Sequence, residues 1–252
     1  MKATTELFMT DVEQPKTAQG STRRFQHRAR QEADKQALRV LILETARREF
    51  ASGTLDTVSI QRIADAIGYS KGTVLKYFPT KLLLLLAVKQ QNLEDVAERL
   101  ERVRARNSDS EARLRRVLET YIDYWVDNPD HFRSLYSMAG TVEDRRFPDG
   151  VYFGQTAIAR RSFEIFVTSV AEFLASHGAR STPALAQRLA TALLSAAHGV
   201  ISLPLGTPTM QLPDVRATGR LVIENLIDSF ATKLGAARNT AEWPRVSINT
   251  FQ

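Results

Sequence analysis

From about Asp34 to Gly235 the apolar residues recur at spacings of three and four, and no stretch sustains the period-two alternation of a strand. The chain is therefore expected to be all-α, with its helices burying one stripe each. Leu38, Leu41, Ile42, Thr45, Ala46 and Phe50 form the first stripe, and Gly53 supplies a stop. The remaining helices are expected over 59–67, 70–77, 80–105, 109–127, 129–140, 154–177, 182–203 and 213–235. Between them lie Gly68, Pro79, Asn107–Ser110, Asn128–Pro129, a Gly/Pro/charged loop at 140–150, the stretch from Gly178 to Pro183, and the stretch from Pro204 to Pro213. The longest unbroken apolar run, Leu82–Val88, is far below the ~20 residues of a membrane span, so no membrane association is expected. The opening MKATTELFMTDVEQP is interrupted by acids and does not read as a signal peptide.

Charge divides the chain. Up to Lys81 there are 14 Lys and Arg against 9 Asp and Glu, whereas the other 171 residues hold 20 against 19. A basic head on a near-neutral body points to a polyanion for the head: nucleic acid first, an acidic membrane surface second, or no partner if the basic region is a solvated tail. Cysteine is absent, so disulfides, thiol nucleophiles and thiolate metal sites are excluded, in keeping with a cytoplasmic protein. The four histidines, His27, His131, His177 and His198, make no metal-ligand spacing, and no glycine-rich phosphate loop is present. No metal or cofactor is expected, and a helical enzyme is the disfavoured alternative.

The segment SIQRIADAIGYSKGTVLKYF, Ser59 to Phe78, carries the chemistry. Ser59 can cap a helix whose apolar face is Ile60, Ile63, Ala64 and Ile67. Gly68 marks a sharp turn, and Ser70 caps a second helix. Val74 and Phe78 face inward there, leaving Lys71, Thr73, Lys76 and Tyr77 outward. This is the plan of a helix-turn-helix, in which the second helix enters the major groove. Lysine neutralises phosphate, and hydroxyls meet phosphate or base edges. Two amphipathic helices joined by glycine for packing alone would share the pattern.

These residues resemble the tetracycline-repressor (TetR) family. The match runs through Ile42, Ala46, Phe50 and Gly53, then Ser59, Ile63, Ala64 and Gly68, then Ser70-Lys71-Gly72-Thr73, Tyr77-Phe78-Pro79 and Lys81. The resemblance implies a three-helix DNA-binding unit whose fourth helix joins it to a helical body. It implies DNA contacts from Ser59 and Gln61 at the second helix, from Lys71, Gly72 and Thr73 on the recognition helix, and from Tyr77 and Lys81 to phosphate; Lys76 joins them by its outward spacing. Two departures stand out. Leu75 replaces a tyrosine that the family uses on the backbone, and residues 82–86 are all leucine where glutamates are usual. The divisions expected are a flexible basic arm at 1–33, the DNA-binding domain at 34–81, the body at 82–236 and a tail at 237–252. Within the arm, Arg23, Arg24, Arg28 and Arg30 would either reach the minor groove or only raise the attraction to phosphate.

For the body the resemblance lies in architecture more than in motif. It implies a homodimer formed by the last two long helices, binding a double-stranded operator of inverted-repeat type. It also implies a pocket for a small-molecule effector, apolar or aromatic by its candidate lining of Tyr121, Trp125, Phe132, Tyr136, Phe163 and Phe166. Any of these aromatics could equally be core, and His198 could be a polar handle or a structural histidine. Repression relieved by effector is the expected activity. An activator or an adaptor built on the same fold stays open, because the motif carries no sign of regulation.

Overall fold

The computed structural model describes residues 18–53, 57–136, 150–179, 181–212 and 214–239. The described residues form nine α-helices and one 3-10 turn, with no strand among them. The head holds α1 (Ala18–Ser52), α2 (Ile60–Ala66) and α3 (Lys71–Tyr77). The body holds α4 (Lys81–Arg106), α5 (Ser110–Asp127), α6 (Pro129–Tyr136), a 3-10 turn at Phe153–Gln155, α7 (Ala157–Ser176), α8 (Pro183–Gly206) and α9 (Val215–Asn239).

Serine, threonine and aspartate start most of these helices. Ser59, Ser70, Thr80, Asp109, Thr156 and Thr182 each accept the backbone N–H three residues on, satisfying a donor the helix cannot use. Helix α5 is the hub, packed on α4, α6, α7, α8 and α9, while α1 lies on α2, α4 and α6. One continuous apolar core runs from Ile42 in the head to Leu234 in α9. Gly219 lets α9 approach α5, since a Cβ there would sit 2.8 Å from Ile122 Cδ1.

Several element ends differ from expectation. Helix α1 starts at Ala18 and not near Asp34. The added segment carries Ala, Arg, Gln and Glu, which favour helix, but it lacks the apolar stripe that periodicity reads, and residues 31–37 are exposed. Residues 1–17 of the expected arm, most of the 140–150 loop, the last residues of the 129–140 helix and the tail beyond Asn239 lie outside the described residues. Helix α8 continues through Pro204 to Gly206. A proline this close to the end forfeits one backbone bond without bending the body of the helix. Helix α9 passes Gly235 and reaches Asn239.

Helix α8 also corrects the reading drawn from unbroken apolar runs. Among the described residues it is the one helix long and apolar enough to cross a membrane, with mean hydropathy 1.5 over its best window. Its small and polar residues interrupt any continuous run, so composition and not run length reveals it. It packs against α5, α7 and α9, with Ala186, Leu189, Ala190, Leu193, Ala197 and Ile201 buried.

Beneath the α1–α6 contact a polar knot ties α4, α5 and α6 together. Asn92, fully buried on α4, donates to the His131 carbonyl at 3.1 Å and to Ser134 Oγ at 2.8 Å. The Tyr124 hydroxyl lies 2.8 Å from His131 Nδ1. Burial, and after it the Arg47 guanidinium, holds the His131 imidazole down at about 4 against an ordinary 6.5, while Asp95 and Asp130 pull the other way. The unfolded chain therefore takes up the proton first. Stability is full above pH 6.5 and falls as pH drops toward 4. A His131→Gln variant is expected to flatten that part of a pH-denaturation curve, and an unchanged slope would refute the assignment.

Candidate nucleic-acid interface and body cavity

The turn between α2 and α3 is closed by its own backbone. Tyr69 N–H donates to Ala64 O at 3.0 Å and Gly68 N–H to Asp65 O at 3.2 Å, with Gly68 at φ +72°. That left-handed conformation is strained for any side chain. Ile63, Ala64 and Val74 are fully buried and lock the two short helices together. Ser70 Oγ accepts from Thr73 N–H at 3.1 Å and is hydrogen-bonded to Thr73 Oγ1 at 2.9 Å. Thr73 thus helps hold the cap besides facing outward. A Ser70→Ala variant is expected to lose about 1 kcal/mol through the missing cap. The same variant should weaken DNA binding by loosening the first turn of α3. Thermal unfolding and an operator titration check both.

The expected DNA-facing residues lie at the start of α2, along α3 and at the start of α4. Gln61, Lys71, Gly72 and Lys76 are exposed, whereas Ser59, Thr73, Tyr77 and Lys81 are half-buried. A Cβ on Gly72 would meet only Ser70 Oγ, at 3.7 Å, so the backbone there is open to close approach. Gln61 donates to Asp65 Oδ1 at 2.6 Å. Lys81 Nζ donates to the Val58 carbonyl at 3.0 Å, tying the start of α4 to the segment that leads into α2. Leu75 is half-buried against the core. Two contacts escaped sequence reasoning: Arg62 pairs with Glu49 at 2.8 Å, and the Arg39 guanidinium lies 5.3 Å from the Phe78 ring centre. Neither spacing is periodic, so no pattern in the chain announces them.

The body holds a partly open cavity of about 210 Å³. Of the six expected lining residues, Tyr121, Tyr136, Phe163 and Phe166 border it, while Trp125 and Phe132 do not. Those two are core instead: Trp125 is fully buried, with ring edges against Tyr121, Tyr124, Phe132 and Tyr136. Sequence reasoning missed the wall that α4 contributes, Leu93, Val96 and Leu100, because those residues look like any other helical stripe. It also missed Leu135, Phe153, Ala159, Ser162 and Leu194. His198 sits beside the cavity residues, its Nδ1 3.5 Å from the Tyr121 hydroxyl and its ring 4.5 Å from that of Tyr136. Burial lowers the His198 pKa and raises those of Tyr121 and Tyr136, so all three groups are neutral. Among the described residues no cluster of histidine and carboxylate could hold a metal ion.

Residues 42–88 match the family profile "Bacterial regulatory proteins, tetR family", and residues 114–226 match "Tetracyclin repressor-like, C-terminal domain". The chain belongs to the TetR family. It is a DNA-binding transcriptional regulator with an N-terminal helix-turn-helix and a helical C-terminal domain. Family and fold are those of regulators and not of enzymes. The chain is 26% identical over 95 residues to the HTH-type transcriptional activator FasR of Mycolicibacterium smegmatis, a match spanning 38% of this chain and 43% of that protein. Its fold is similar to the transcriptional regulator FadR from Bacillus subtilis in complex with stearoyl-CoA. The TM-score is 0.62 at 15% identity, covering 75% of this chain and 97% of that one. It is also similar to the TetR family regulator PfmR from Thermus thermophilus, with TM-score 0.60 at 19% identity, covering 74% and 97%.

Proposed function

We propose that this TetR family regulator acts in the cytoplasm as a homodimeric repressor of an inverted-repeat operator and lets go of DNA when an apolar or aromatic small molecule fills the body cavity. The observation that carries the reading is helix α4. Its first residue, Lys81, is bonded to the chain entering α2, and further along the same helix Leu93, Val96 and Leu100 form a cavity wall. One rigid element thus spans both ends. A ligand that displaces the wall tilts the head, and it shifts operator affinity only by its differential affinity for the two arrangements.

In this reading residues 34–81 are the DNA-binding domain and 82–236 the body. Lys71, Gly72, Thr73 and Lys76 enter the groove, and Ser59, Gln61, Tyr77 and Lys81 meet the backbone. Dimerisation through α8 and α9 is supported by Leu203 and Leu221, which are 53% and 61% exposed on those helices. A two-fold pair would place recognition helices at half-sites about 34–36 Å apart. Selection of bound duplexes from random DNA is expected to return a palindrome with that spacing. Leu100→Trp, which fills the cavity from the α4 side, is expected to change operator affinity without altering the selected sequence. A non-palindromic site, or a Leu100→Trp protein with unchanged affinity and unchanged thermal stability, would count against the scheme. Activation is the second reading, favoured by the FasR match. A footprint upstream of the promoter elements would support activation, and one covering them would support repression.

A further inference from the structure

We propose that the cavity selects effectors that are uncharged and carry a hydrogen-bond acceptor, such as the carbonyl of an ester, thioester, lactone or ketone, and that Tyr136 is the residue that donates to it. This rests on the cavity being the effector site. None of the described residues lining the cavity carries a charge. Three of them have hydroxyls: Tyr121, Tyr136 and Ser162. The Ser162 hydroxyl is spent on the Ile158 carbonyl at 2.8 Å. The two phenols remain, and they are joined in a slack chain. Tyr136 and Tyr121 hydroxyls are 3.4 Å apart, and Tyr121 is 3.5 Å from His198 Nδ1. Both separations are well beyond the ~2.7–2.8 Å of a good hydroxyl hydrogen bond.

A proton inventory assigns the roles. His198 Nδ1 has one lone pair to offer when the ring proton is on Nε2, so Tyr121 donates to it. Tyr136 can then donate only to the Tyr121 oxygen, at a poor distance. An incoming carbonyl gives the Tyr136 hydroxyl a closer acceptor at almost no loss, because the bond it gives up is already stretched. Tyr121, edge-on to Phe166 at 5.5 Å and to Trp125 at 5.9 Å, positions the pair. A carboxylate would meet no cation among the lining residues, and because an unpaired buried charge is costly its head group stays out in water, beyond the reach of Tyr136. One cation approaches the lining from behind: the Lys89 ammonium lies 5.2 Å from the centre of the Phe153 ring, and Lys89 itself does not line the cavity. The site thus separates an acid from its ester by charge and separates an ester from a bare hydrocarbon by Tyr136.

Calorimetric titration of the full-length protein with methyl decanoate and with decanoate at pH 7.5 tests this. The ester is expected to bind at least about tenfold more tightly than the acid. Tyr136→Phe should erase most of that advantage, lowering ester affinity about tenfold while leaving the acid unchanged. Ala159→Phe, or Leu194→Phe should the first fail to fold, fills the cavity and should abolish both titrations. If the acid binds as tightly as the ester and the filled variant loses both, the head-group inference is overturned and the cavity stands. An ester preference that survives in Tyr136→Phe overturns the role of Tyr136. Binding that the filled variant retains, or no binding of either probe to the parent protein, overturns the cavity reading and this inference with it.

Discussion

Replacing Trp125 with alanine is expected to destabilise the protein by about 3–5 kcal/mol. The indole is fully buried on α5, the helix that touches most of the body. Four aromatic neighbours meet it edge-on, at centroid distances of 4.8 Å for Tyr124, 5.7 Å for Phe132, 5.8 Å for Tyr136 and 5.9 Å for Tyr121. Such contacts add to the area term, and rings fixed on packed helices cannot collapse into the space left behind. The variant also leaves a void behind Tyr121 and Tyr136, which line the cavity and pack on Trp125. Phe163→Ala should cost distinctly less, because that ring is only half-buried and already faces empty space. Urea unfolding measures both, and the midpoint should move while the slope holds. A Trp125→Ala loss below about 1 kcal/mol would mean that this aromatic cluster is not the packed centre of the body.

What the sequence could and could not disclose follows from the range of each interaction. The helix-turn-helix was legible because its determinants are local. Capping serines, a glycine at positive φ and inward residues at three- and four-residue spacing all act within one turn. The start of α1 was not legible, because the segment before Asp34 carries no apolar stripe. Aromatics on α5, α6 and α7 were legible as a group, yet periodicity cannot say whether a ring faces a neighbour or a void. That is why Trp125 and Phe132 proved to be core while Tyr121, Tyr136, Phe163 and Phe166 border the cavity. Long-range ion pairs were invisible for the same reason. Arg216 reaches Asp123 and Asp127 from α9 to α5, and Glu172 on α7 takes both Arg104 and Arg113. The all-leucine stretch, whose unbroken apolar run implies burial, is indeed inside: Leu84, Leu85 and Leu86 are at most 1% exposed, with Leu82 and Leu83 packed at the edge.

Lys71→Ala and Lys76→Ala are expected to weaken operator binding in different ways. Lys71 opens α3, and the first residues of a recognition helix are those that reach base edges. Its loss should cost about 1–3 kcal/mol on the cognate sequence and relax discrimination at one base position per half-site. Lys76 lies in the last turn of α3, which in the proposed docking is nearer the groove wall. Its loss should weaken all sequences alike and make the salt dependence shallower by about one unit per site. Both side chains are exposed and neither takes part in a cap, so unfolding temperatures should match the parent. That control matters because a head that merely loosened would also bind poorly, and Ser70→Ala supplies the comparison. Binding to cognate and scrambled duplexes across a salt series distinguishes the cases. If Lys71→Ala lowers both affinities equally, with the same change in salt slope as Lys76→Ala, then the lysine at the start of α3 meets phosphate only. Base reading would then fall to Thr73 and to the open backbone at Gly72.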